Sequence, residues 1–174
     1  MIALEPLLIE IAAQYTLDSL GLHGLNHWAR VLENGLRLTE TEGGDINVIR
    51  LFAIFHDACR HNQSRDPGHG ARGAALAERL LGDLALVTKK QLDLLTIACL
   101  EHTDGKTDAD LTVQICWDSD RLDLGRVSIM PNPTYLCTKT AQKEELIQWA
   151  NQRSVSSFSP SFVDLHWRPL FSDK

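Results

Sequence analysis

The sequence lacks the features that mark several large function classes. It has only four cysteines, Cys59, Cys99, Cys116 and Cys137, and none forms a C-x-x-C pair. Three of the four lie in apolar stretches, which reads as reduced, packed thiols and implies a cytoplasmic setting. No apolar run approaches the ~20 residues of a membrane span. The start, MIALEPLLIEIAAQ, carries Glu5 and Glu10 but no basic segment, so a signal peptide is not expected. Basic residues are outnumbered 17 to 23, for a net charge of −6. A broad nucleic-acid surface needs clustered cations and is disfavoured, although a local basic pocket for one small phosphate is still allowed. There is no glycine-rich phosphate loop, no G-x-S-x-G elbow and no setting for a cysteine nucleophile.

What is present suits one folded unit. The 174 residues are 44% hydrophobic and 23% charged, and a chain of this length buries roughly 70% of its extended surface, enough for a core without a disulfide or metal staple. No repeat or linker divides it, so residues 1–174 are expected to form a single domain. The coarse reading is all-α. Residues 3–19 place Leu7, Leu8, Ile11, Ala12 and Tyr15 at helical spacing. A second helix runs from about Leu25 to Leu38, with Trp28, Val31, Leu32 and Leu36 on its apolar side and Gly43 and Gly44 beyond it. Asp45 can cap a third, INVIRLFAIFHDACR, which is apolar nearly all round and so is expected at the centre. A loop at 61–70 leads to an alanine-rich helix ending near Leu81. Thr88 can cap a helix to about His102, and another covers roughly 109–124. A connection at 131–137 precedes a last helix at about 139–151. The tail 152–174 has no clear position beyond a strap across the bundle.

The placement of the histidines carries the chemistry. His56 follows Ile49, Phe52 and Ala53 at helical spacing and so points where the core side chains point. Asp57, beside it, emerges from an apolar helix, and an unpaired buried carboxylate costs several kcal/mol, of order 3 or more. A bound cation is one way to compensate it. His27 stands next to Trp28 on the second helix. His102 continues the stripe of Leu95, Ala98 and Cys99. Asp120 follows Val113, Cys116 and Trp117, while Asp118 lies on a second apolar stripe with Leu111, Ile115 and Leu122, so periodicity leaves both aspartates open. Taken singly, an inward histidine is more often a hydrogen-bonded core residue, and an inward aspartate a cap or salt-bridge partner. Together, imidazole and carboxylate from four helices suit a divalent transition metal, with Mg²⁺ less well matched to nitrogen. His61 and His166 have no supporting context, and His23 reads as a turn residue or a helix start. The stretch 60–72 holds Arg60, Arg65 and Arg72 against Asp66 alone, which suits either an anion pocket or a solvated loop.

An early His in HGLNHWARV, a His-Asp doublet in FAIFHDACR and a late Asp in DSDRLDLG, in this order on helices, resemble the HD-domain metal-dependent phosphohydrolase superfamily over roughly residues 20–125. The HG of DPGHGARGAA and the His of IACLEHTDG add to the likeness. In that family the late Asp commonly precedes Arg-Leu or Lys-Leu, which selects Asp120. The resemblance implies a helical bundle of the HD type. It implies a divalent ion (Mn, Co, Ni, Fe, Zn or Mg) on His27, His56, Asp57 and Asp120 that activates water and offsets phosphate charge. The expected substrate is a small phosphorylated molecule. Arg60, three residues after Asp57, would grip phosphate. The short spacing from His56 to His69 suggests one ion, with His69 and His102 near the substrate as catalytic candidates. An HD-type di-iron oxygenase and a non-catalytic helical regulator are the alternatives, the latter disfavoured because all four ligand positions are filled.

Overall fold

A computed structural model describes residues 2–82 and 86–172. Its α-helices are α1 (Glu5–Gln14), α2 (Leu25–Glu42), α3 (Ile46–Phe55), α4 (His69–Leu81), α5 (Lys89–Glu101), α6 (Leu111–Arg121) and α7 (Glu144–Val155), and no strand occurs among the described residues. No helix among them is long and apolar enough to cross a membrane. All four cysteines are free.

The central element is α3. Asp45 caps it by accepting from the N–H groups of Asn47 and Val48 at 2.9 and 3.2 Å. From Val48 to Phe55 every residue except Arg50 is buried, as a helix apolar on all sides requires. It packs against α2, α4, α5 and α6. The regular helix stops at Phe55, earlier than the sequence suggests. His56 keeps helical backbone geometry, its N–H bonded to the Phe52 carbonyl at 3.0 Å, and the chain tightens after it, with the Ala58 N–H bonded to the Phe55 carbonyl at 3.3 Å. A capping box of Thr88 and Gln91 starts α5, and Asp110 caps α6.

Close approach of α4 depends on glycine. A Cβ on Gly73 would lie 2.3 Å from the Phe55 carbonyl oxygen, and one on Gly70 2.3 Å from that of Cys99. These two positions share a face, so α4 rests directly on the ends of α3 and α5, where His56 and His102 stand.

The ends of several helices differ from the periodicity. The first helix ends at Gln14 because Tyr15 turns extended and buries its ring edge-on to Trp28 and Phe171. The last begins at Glu144, because Cys137 and Thr138 bend instead around the Asp118 carboxylate. The tail does form a strap. A π turn (Val163–Trp167) and a 3-10 turn (Arg168–Phe171) lie across α1, with Val163 and Trp167 buried.

Candidate metal centre

Six of the sequence-selected residues meet at one end of the bundle. His27 comes from α2, His56 and Asp57 from the turns after α3, His69 from the start of α4, His102 from the end of α5, and Asp120 from α6. All are buried.

The histidines are oriented by their Nδ1 atoms. That of His27 lies 2.7 Å from an Asp123 carboxylate oxygen. Those of His56, His69 and His102 lie 3.0, 2.7 and 2.7 Å from the backbone carbonyls of Phe52, Asp66 and Cys99. Each partner is a pure acceptor, so each Nδ1 carries a proton, and a neutral ring then holds its lone pair on Nε2. The Nε2 atoms of His27 and His56 face each other at 3.0 Å, and those of His69 and His102 at 2.9 Å. Where both rings of a pair are neutral, two lone pairs at that distance repel each other, and a cation between them, a metal ion or a proton, removes the conflict. Nitrogens each about 2.1 Å from one ion and at right angles around it would be about 3.0 Å apart.

The carboxylates complete three overlapping groups, one of them His23, His27 and Asp57. Asp57 turns Oδ2 toward His27 Nε2 at 3.5 Å and Oδ1 toward His69 and His102 Nε2 at 3.1 and 3.8 Å. Asp120 Oδ1 lies 3.5 Å from His27 Nε2, buried and without a hydrogen-bond partner among the described residues. Such an orphaned oxygen is costly unless a cation meets it. His27, His56 and Asp120 form one compact donor set, and Asp57, His69 and His102 a second. The donors thus fit divalent ions in number and chemistry. His69 and His102 stand inside a donor set, whereas the one-ion reading of the sequence put them only near substrate.

Electrostatics agree with the geometry. Burial pushes His56 down to about 3 and lowers His102, so both present neutral imidazole. Burial alone would raise Asp57 and Asp120. Histidines, His56 foremost, hold Asp57 well below the usual carboxylate range, and Arg126 followed by His56 does the same for Asp120. His69 moves the other way: burial opposes its charge, but Asp57 outweighs burial and raises it.

Sequence reasoning missed three contributors. His23 lies in the turn before α2, with Nδ1 2.6 Å from Asp57 Oδ2. Asp123, 1% exposed, accepts from His27 and from Arg30 Nε and Nη2 at 2.7 and 3.0 Å. Its signal was available, since it stands three residues after Asp120 and so shares its helical face. The third, Arg126, lies 3.6 Å from Asp120 Oδ1. By contrast Asp118 points away from the centre, accepting from the Cys137 and Thr138 N–H groups and the Thr138 hydroxyl at 2.7–2.8 Å.

The basic stretch 60–72 does not act as one patch. Arg72 is spent on Asp66 at 2.7 Å, and Arg65 is exposed. Arg60 is buried with every nitrogen engaged: Nε on the Asn62 carbonyl, Nη2 on that of Ser64, and Nη1 near Asp57 Oδ1 and His69 Nε2 at 3.4 and 3.2 Å. His61 and His166 are exposed. A cavity of about 340 Å³ opens over the cluster, lined by Asp57, Asp120, His69 and His102 together with His23, Arg60, Arg121, Arg126 and Tyr135.

Among known proteins, the HD domain family model matches residues 24–125. No curated protein and no solved structure matches the chain.

Proposed function

The chain belongs to the HD-domain family, and on that premise we propose that it is a metal-dependent hydrolase of a phosphomonoester or phosphodiester, acting on a nucleotide or other small phosphorylated metabolite. The observation that carries this is the set of four Nδ1-anchored histidines whose Nε2 atoms pair at 2.9–3.0 Å beside two carboxylates. His27, His56, Asp57 and Asp120 would hold one divalent ion, and Asp57, His69 and His102 could hold a second. A divalent ion there supplies Lewis acidity, lowering the pKa of a water it holds and offsetting charge on phosphoryl oxygens.

The protein's own groups do the rest. Asp123 fixes the ring and tautomer of His27 and is itself held by Arg30. Arg60 orients Asp57 and His69 rather than gripping phosphate, since its nitrogens are already engaged. His23 donates Nδ1–H to Asp57 and lines the cavity, and burial lowers its pKa, so its other ring nitrogen is placed to accept a proton as a general base.

The test pairs elemental analysis of protein purified without chelator with a screen of nucleotides and phosphoesters in Mn²⁺, Co²⁺, Ni²⁺ and Mg²⁺. Expected are up to two ions per chain and metal-dependent phosphate release that chelator abolishes. A chain that folds but binds no metal would overturn the reading. So would iron-dependent consumption of oxygen in place of phosphate release.

A further inference from the structure

The wall of the cavity opposite the histidines is built by the end of α6 and the segments after it: Arg121, Leu124, Arg126 and Tyr135. Arg121 is 7% exposed. Its Nη1 donates to the Tyr135 carbonyl at 2.8 Å, but Nη2 is buried with no hydrogen-bond partner among the described residues. Arg126 donates from Nη1 to the Asp123 carbonyl at 3.1 Å, while its Nε is likewise buried and unpartnered. Both residues line one cavity, and each guanidinium carries a buried, unfilled donor, in a chain where acidic residues are in excess.

Their negative partners are already committed. The carboxylates near Arg126 are Asp120, at 3.6 Å, and Asp123, at 4.0 Å. Asp123 is engaged by His27 and Arg30, and Asp120 belongs to the donor set. A divalent ion held by that set would draw on the charge of Asp120 and leave Arg126 less compensated. Arg60 does not compete for an incoming anion, because its nitrogens are engaged. Buried guanidinium donors left in this way call for an anion from outside the chain.

We propose that Arg121 and Arg126 form an anion subsite, set apart from the donor cluster, that binds a second phosphate or carboxylate group of the substrate. This assignment rests on the hydrolase reading above and narrows it: the substrate carries one anionic group at the cluster and another at the arginine wall. Leu124, which lines the cavity between them in sequence, would face the skeleton that joins the two.

The experiment uses stable phosphonates with the full-length, Mn²⁺-loaded protein. Calorimetry compares propylphosphonate with propane-1,3-diphosphonate and with 3-phosphonopropionate. The wild type is expected to bind at least one of the probes with two anionic groups about tenfold or more tighter than propylphosphonate, the scale of one charge-assisted contact. Which probe gains more identifies phosphate or carboxylate as the second group. In Arg121→Gln/Arg126→Gln, loaded with Mn²⁺ to the same occupancy as the wild type, the preference should fall to about twofold or less. Arg126→Gln alone leaves the Tyr135 contact intact and serves if the double variant does not fold; it should lose most of the preference. Equal affinities for all three probes in the wild type, with metal bound, would overturn the subsite and leave the hydrolase reading standing. A preference that survives both substitutions would do the same. Failure to bind metal or propylphosphonate at all would overturn both.

Discussion

Asp123→Asn tests the anchoring of the cluster most directly. Asp123 is the buried acceptor that holds His27 Nδ1–H on one side and the Arg30 guanidinium on the other. The substitution removes a charge and one acceptor oxygen while keeping the shape. The amide then has one oxygen for two donors, and its NH₂ must face either His27 or Arg30. Removing one partner of a buried pair costs about 3–5 kcal/mol. One retained hydrogen bond recovers about 1 kcal/mol, so a stability loss of about 2–4 kcal/mol is expected. If the NH₂ faces His27, that ring gains by moving its proton to Nε2, the atom that faces His56. The lone pair is then lost to the cluster, and metal affinity should fall about 10- to 100-fold. Urea denaturation in chelator reads the first effect, and Mn²⁺ titration of the folded variant reads the second. Wild-type metal affinity in a destabilised variant would refute the tautomer argument. Wild-type stability would refute the view that Arg30 depends on this countercharge.

Other outcomes follow from the same geometry. Asp120→Ala should lose metal with little loss of stability in chelator, whereas Asp118→Ala should keep metal but lose about 2–5 kcal/mol, because it strands two backbone N–H groups and a hydroxyl; metal analysis and denaturation midpoints of the pair check this. Arg60→Ala should weaken metal binding about 10-fold or more by freeing Asp57 and His69, as read by Mn²⁺ titration, and unchanged metal affinity would return this residue to a purely loop-holding role. Chelator should lower the melting temperature, since a ligand at about 1,000 times its Kd stabilises by about 4 kcal/mol, and calorimetry with and without metal checks it. In the chelated protein, His56 stays neutral in the fold down to about 3 because of its burial, while the unfolded chain protonates it near 6.5. The unfolded state therefore binds more protons between those values, and stability should fall as pH drops through that window, by up to ~1.4 kcal/mol per pH unit for this group. Denaturation midpoints that stay flat from pH 6.5 to 4.5 would contradict it.

The sequence alone determined the elements and most of the centre. Helical period, caps and glycine stops depend on neighbours a few residues apart, so α2, α3, α5 and α6 were legible from Asp45, Thr88 and the apolar stripes. The same period turned His56, His102 and Asp120 inward. It could not say which atom of each ring would meet which partner. That depended on carbonyls and carboxylates fixed by packing: Asp66 and Cys99 for His69 and His102, and Asp123 for His27, 96 residues away. Periodicity also left Asp118 and Asp120 open, and only the bend of Cys137 and Thr138 around Asp118 separated their surroundings. The roles of the arginines were likewise tertiary. Arg60 and Arg72 looked free in sequence but found acceptors in their own loop, while Arg121, noted in sequence only as the residue after Asp120, and Arg126 were left lining the cavity with buried, unfilled donors. Local spacing sets which way a side chain points. Whether it finds a partner there depends on long-range contacts that spacing does not encode.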